Sequence, residues 1–147
     1  GYAKDITQDL LFTQSVMANE AVIQISPAPV ISISSQGILL VFSPAAELSW
    51  GYRADEVLGK NIRMLMTEED AVRHDGYLAR YMKTGEKHIV DNTRTVKAKR
   101  KDGTVFFAEA NIKELRKGDH VSFIGYLKDM TQEYEIAHKN RINKTVF

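Results

Sequence analysis

Apolar and polar residues alternate through much of TVFFAEANIKEL (104–115) and HVSFIGYLKDM (120–130), and RKGD at 116–119 separates the two stretches. A period of two predicts strands, and the short polar break predicts an antiparallel turn between them. A third long strand is expected from His88 to Lys99, joined to the next by the turn KRKDG. Upstream, VISIS (30–34) and ILLVF (38–42) flank the turn SQG and predict a hairpin that opens the core. Between hairpin and long strands the pattern turns helical. PAAELSW is one short helix and RADEVLGK another, with Gly59 near its end. A longer helix is expected from Glu68 to Met82, stopping at Thr84-Gly85. The sum is an α+β domain over residues 27–130: a five-stranded antiparallel sheet with short helices on one face.

Both ends of the chain read as linkers. Residues 8–25 carry Leu11, Ser15, Ala18, Val22 and Ile25 at spacings of four and three, a seam for a partner helix. A second stripe of Phe12, Val16 and Ile23 widens that face, so a cap over the chain's own domain and a dimer coiled coil are both open readings. Pro27 and Pro29 end this N-terminal linker helix, assigned to 8–26. TQEYEIAHKNRINKTVF at 131–147 is a polar C-terminal linker helix. GYAKDITQ at 1–8 is echoed by GYLKDMTQ at 125–132, each with Asp three residues before Gln as an N-cap and capping-box pair. The echo, and the absence of an opening methionine, make residues 1–7 the expected end of a preceding, similar repeat in a longer tandem chain.

Composition narrows the function. The 147 residues suffice for one domain with a real core, and the net charge of +1 gives no reason to expect nucleic acid. With no cysteine there is neither disulfide nor thiolate chemistry, and any metal must take nitrogen or oxygen ligands. This suits a cytoplasmic setting. ILLVF, the longest strongly apolar run, is too short to span a bilayer, and no export leader is expected. No HExxH motif or nucleophile elbow is present, so hydrolase chemistry has nothing to rest on. The basic run VKAKRKDG reads as a solvated hairpin, and LGKN as a helix-ending glycine rather than a phosphate loop.

The densest candidate chemistry lies in RHDGYLARYMKTGEKHIVDNTR, residues 73–94. His74, Tyr77, Leu78 and Tyr81 fall at i, i+3, i+4 and i+7, one face of a helix that tyrosine and leucine turn inward. A histidine there needs a partner for each ring nitrogen that faces no water. In isolation it reads as a satisfied core residue. Arg80 and His88 straddle the Gly85 turn, and Arg94 follows His88 at an even strand spacing, so those two share a face. Arginine's planar fork suits a carboxylate. Met64, Leu65, Met66, Ile89, Val90 and Ile112 could line a flat apolar slot.

The order of elements, with FSPAAELSWGYRADEVLGKN, RKDGTVF and GYLKDMTQ in place, resembles the PAS sensor domain over roughly residues 27–132. The 73–94 segment is further similar to the haem-PAS domain of the FixL-type oxygen-sensor histidine kinases. That resemblance implies haem b with its iron on His74, propionates held by Arg80 and His88, and Arg94 meeting bound oxygen or a propionate. It implies Tyr77, Ile89, Ala110 and Ile112 as further cofactor contacts, and O2, CO or NO as the sensed gas. The chain departs from the family pattern at Asp91 and Thr93, where glycines are usual, at Ala110, where a large aliphatic is usual, and at Phe107, where proline is usual. A cofactor-free PAS module for dimerisation and signal relay is the first alternative, and a flavin (FAD or FMN) redox PAS the second. GKNIRML aligns with the flavin-adduct segment of the light-sensing branch, but Ile62 stands where the adduct needs cysteine, which excludes that photochemistry. A homodimer through the flanking helices, with neighbouring PAS and output domains in the same chain, is the expected assembly.

Overall fold

The computed structural model describes residues 20–84 and 93–146, with the side chains of Thr84 and 141–146 excepted. The expected repeat end at 1–7, most of the N-terminal linker helix, His88 and Ile89 lie outside the described residues. What is described of that helix is α1, residues 20–25.

The hairpin forms as β1 (Val30–Ser34) and β2 (Leu39–Phe42). Gly37 closes the turn at φ 82°, a left-handed conformation that glycine adopts without Cβ strain, and its N–H bonds Ser34 O at 3.0 Å. The long strands follow as β3 (Thr93–Lys99), β4 (Val105–Lys117) and β5 (His120–Asp129), and the sheet order is β2-β1-β5-β4-β3 with every pair antiparallel. The last strand to form in sequence therefore lies at the centre and joins the hairpin to the β3–β4 pair. Alternation decides the faces: Phe106, Ala108 and Ala110 of β4 and Val121, Phe123 and Gly125 of β5 are buried, while Val105, Phe107, Asn111 and Tyr126 are exposed.

The helices lie between β2 and β3 in the chain. α2 (Pro44–Trp50) starts at Ser43, whose hydroxyl accepts from Ala46 N at 3.3 Å and also from Val30 N at 2.9 Å, with Pro44 in the first turn. Gly51 ends it at φ 81°. Trp50 and Ala46 are buried, and Trp50 packs edge to face against Phe42 and Phe106 with centroids 6.1 and 5.2 Å away. The helix expected over RADEVLGK shortens to one turn, α3 (Ala54–Val57). Beyond it the backbone bonds to the sheet instead: Leu39 N to Lys60 O at 2.8 Å and Gly59 N to Leu39 O at 2.9 Å. A 3₁₀ turn (Ile62–Leu65) leads to α4 (Glu68–Thr84), close to its expected bounds.

α5 (Thr131–Val146) begins directly after β5. The expected pairing of Asp129 with Gln132 is replaced: Asp129 Oδ1 accepts from Thr131 N at 2.9 Å and from the Thr131 hydroxyl at 2.6 Å. The helix starts at 131, so Asp129 is one position too early to reach the third N–H of the helix. α5 leans on the outer face of the sheet, Tyr134 meeting Phe107 edge to face at 5.5 Å. No helix among the described residues is long and apolar enough to cross a membrane.

Candidate functional site

The inner face of the sheet and α4 flank a half-open cavity of about 530 Å³. That volume lies within the range of small-molecule and cofactor sites. Its sheet wall follows from the strand register. Arg94, Ala110 and Leu127 are cross-strand partners in one row, and Ile112, Gly125 and Ile31 in the next. Partners in a row share a face, so all six line the cavity. A Cβ at Gly125 would lie 3.3 Å from Leu127 Cδ1, so the leucine side chain would have to give by a few tenths of an ångström to admit one. The opposite wall is α4, from which His74, Tyr77, Leu78 and Tyr81 point inward as their spacing requires. Trp50, Leu65 and Met66 close one side, the indole N–H bonding Leu65 O at 3.2 Å.

His74 is half-buried on this wall. Its Nδ1 is buried and has no hydrogen-bond partner among the described residues. Burial pushes the imidazole pKa below its usual 6.5, the neighbouring Asp75 carboxylate opposing the shift. His74 is therefore neutral at pH 7, the form whose lone pair can bind a metal. Asp75 is engaged in turn by Arg63, Nη1 to Oδ2 3.3 Å, which ties the 3₁₀ turn to α4. A neutral imidazole on the wall of an apolar cavity of this size, with one buried nitrogen that has no partner among the described residues, fits an iron-bearing planar cofactor.

Of the residues expected at the site, His74, Tyr77, Arg94, Ala110 and Ile112 line one cavity. Arg80 does not. It lies six residues after His74, about 120° around the helix, and is exposed. Arg94 reaches the cavity from β3 at the sheet edge, on the same strand face as the part-buried Val96 and buried Ala98. The sequence reading did not single out Trp50, Phe123, Leu127, Glu69, Asp70 or Arg73, all of which also line the cavity. Phe123 and Leu127 were accessible from β5 alternation, and Asp70 from its place four residues before His74. Trp50 carried no such signal.

A family model described as the PAS fold matches residues 18–130. The sensor protein FixL of Bradyrhizobium diazoefficiens is 38% identical over 109 residues, 74% of this chain and 22% of that protein. The oxygen sensor protein DosP of Escherichia coli strain K12 is 24% identical over 116 residues, 79% of this chain and 14% of that protein. The chain thus spans about a fifth or less of either relative. The solved structure of an RNA-binding light-oxygen-voltage receptor superposes with a TM-score of 0.66 at 22% identity, covering 87% of this chain and 36% of that one.

Proposed function

The chain belongs to the PAS fold family, a family of sensory domains, and from that premise we propose that it binds haem b on His74 and senses O2 or another diatomic gas. The observation that carries the reading is His74 on the wall of the cavity between α4 and the sheet, with a buried Nδ1 that has no hydrogen-bond partner among the described residues. Haem needs one protein imidazole, where a zinc site needs three or four protein ligands. The likeness to FixL and to the oxygen sensor DosP supports the same reading.

His74 would hold the haem, and the haem, when bound, would supply an iron able to bind O2, CO or NO. The residues of this chain do the rest. His74, neutral at pH 7, offers its nitrogen without first losing a proton. Ile112, Leu127 and Ile31 give the sheet side of the cavity an apolar surface. Arg94 brings an always-charged donor to that side, where it would favour a ligand that gathers negative charge. Arg80, on the exposed flank of α4, would meet a carboxylate outside the cavity. Gas binding would alter output only as far as two arrangements of the flanking helices differ in gas affinity. Within this reading residues 27–130 are the sensor and 8–26 and 131–147 its linker helices, with 1–7 ending a preceding repeat. Two copies would pair through the linkers, in a cytoplasmic signalling protein whose output domain, if it has one, lies outside these residues. Val22 and Ile25, 64% and 80% exposed on α1, suit that pairing.

An absorption spectrum of protein purified with haem supplied tests the proposal. An intense Soret band that disappears in His74→Ala is the expected result. A flavin spectrum would replace it with the redox reading, and an absence of visible absorbance with a cofactor-free interaction module.

A further inference from the structure

We propose that the cavity selects flat apolar ligands that carry a negative charge, and that Lys97 holds the charged group where the cavity opens past the edge of the sheet. The proposal rests on the reading of this cavity as a ligand site and names the chemical class that the site takes.

Strand alternation places the groups. On β3, Arg94, Val96 and Ala98 lie on the inner face, so Thr95 and Lys97 point to the other side of the sheet. Thr95 and Lys97 nevertheless line the cavity, and so does Phe107, the cross-strand partner of Lys97. Residues from both faces of one strand border the same space where that space passes the strand's free edge, and β3 is an edge strand of the sheet. The mouth therefore lies along β3, with the Phe107 ring and the Lys97 side chain on its outer lip. Phe107 is 39% exposed, and its ring is steadied by Tyr134 of α5, centroids 5.5 Å apart.

The charges around the cavity set the sign of the ligand and the way it lies. Arg73 is paired with Glu69 at 2.9 Å, so those two largely cancel. Asp70, one turn before His74, repels an anion from the α4 wall. The Lys97 ammonium has no hydrogen bond or ion pair among the described residues. A lone surface lysine is ordinary, but this one stands beside an aromatic ring at the opening of an apolar cavity. A ligand with an apolar body and one acidic end fits that arrangement. The body is removed from water between α4 and the sheet, while the acid stays hydrated at the lip and meets the ammonium there. The flexible four-carbon stem of lysine lets the charge follow the acid, and its methylenes extend the apolar surface that Phe107 begins. In haem the acidic end would be a propionate.

Two fluorescent probes that differ in one group test the proposal on the cofactor-free full chain: anilinonaphthalene sulfonate, and the neutral phenylnaphthylamine that lacks the sulfonate. Trp50, the single tryptophan, lines the cavity, and its quenching reports binding there. Lys97→Gln is expected to weaken the sulfonate about three- to fivefold, the scale of a part-exposed ion pair, and to leave the neutral probe within about twofold of the parent. Lys97→Arg should restore the sulfonate. Lys99→Gln, two residues along the same strand face but not on the cavity lining, should leave both probes unchanged. An unchanged sulfonate affinity in Lys97→Gln, equal losses for both probes, the same loss in Lys99→Gln, or a parent chain that binds neither probe overturns the proposal. Haem and its dimethyl ester repeat the contrast in the same variants, the ester being indifferent to Lys97. No haem enters the probe titrations, so a missing Soret band leaves their result standing, and a failed contrast leaves the haem reading intact.

Discussion

If His74 is kept for a ligand, the cofactor-free chain carries it at a cost, and His74→Leu should make that chain more stable. The unsatisfied Nδ1 is the source of the cost. A buried polar atom left without a partner costs about 1–3 kcal/mol. His74 as a whole is only half-buried, so leucine gives back part of that by exposing apolar surface, and a gain of about 1 kcal/mol at pH 7 is expected. For a chain of this length that raises Tm by about 2–4 °C. Protonation adds a second signature. The folded pKa of His74 lies below its usual 6.5 because burial disfavours the charged ring. Between the folded value and 6.5 the unfolded chain binds more protons, so stability falls as the pH drops through that window. His74→Leu removes this contribution, and its stability should decline less between pH 7 and pH 5 than that of the parent. Urea unfolding of the cofactor-free proteins at both pH values measures the two effects. A variant at least 1 kcal/mol less stable at pH 7, or one with an undiminished pH slope, would show that the imidazole is a satisfied structural residue.

Two further outcomes follow from named contacts. Ser43→Ala removes the cap of α2 and leaves Val30 N, which bonds the same buried hydroxyl, without its partner; the loss should be about 2–4 kcal/mol by chemical denaturation, and a loss below 1 kcal/mol would refute the double role. In haem-loaded protein Arg94→Ala should change the O2 dissociation rate severalfold while leaving the haem content near that of the parent; an unchanged rate by stopped flow removes Arg94 from the gas side.

Much of the fold was legible because it is written in local pattern. VISIS, PAAELSW and the run from Glu68 to Thr84 form the elements that their periodicity and punctuation require. RADEVLGK misled, because its second half bonds to β2, a segment distant in sequence. The inward face of α4 was legible for the same reason as the helix itself: a spacing of three and four puts His74, Tyr77, Leu78 and Tyr81 on one side wherever the helix docks. The sequence could equally assign the residues of β4 and β5 to two faces, but not say which strand each would meet.

That last step belongs to the tertiary structure. Strand order brings Arg94 beside Ala110 and Leu127, and only this register sets that arginine on the cavity wall. Only packing shows whether an imidazole nitrogen has found a partner, because neighbours that could satisfy it come from anywhere in the chain. Only packing, again, gathers Ser49, Phe106, Asp129 and Thr131 around Arg100. Periodicity is a property of neighbours along the backbone, and a site is a property of neighbours in space; the chain carries the first on its face and reaches the second only by folding.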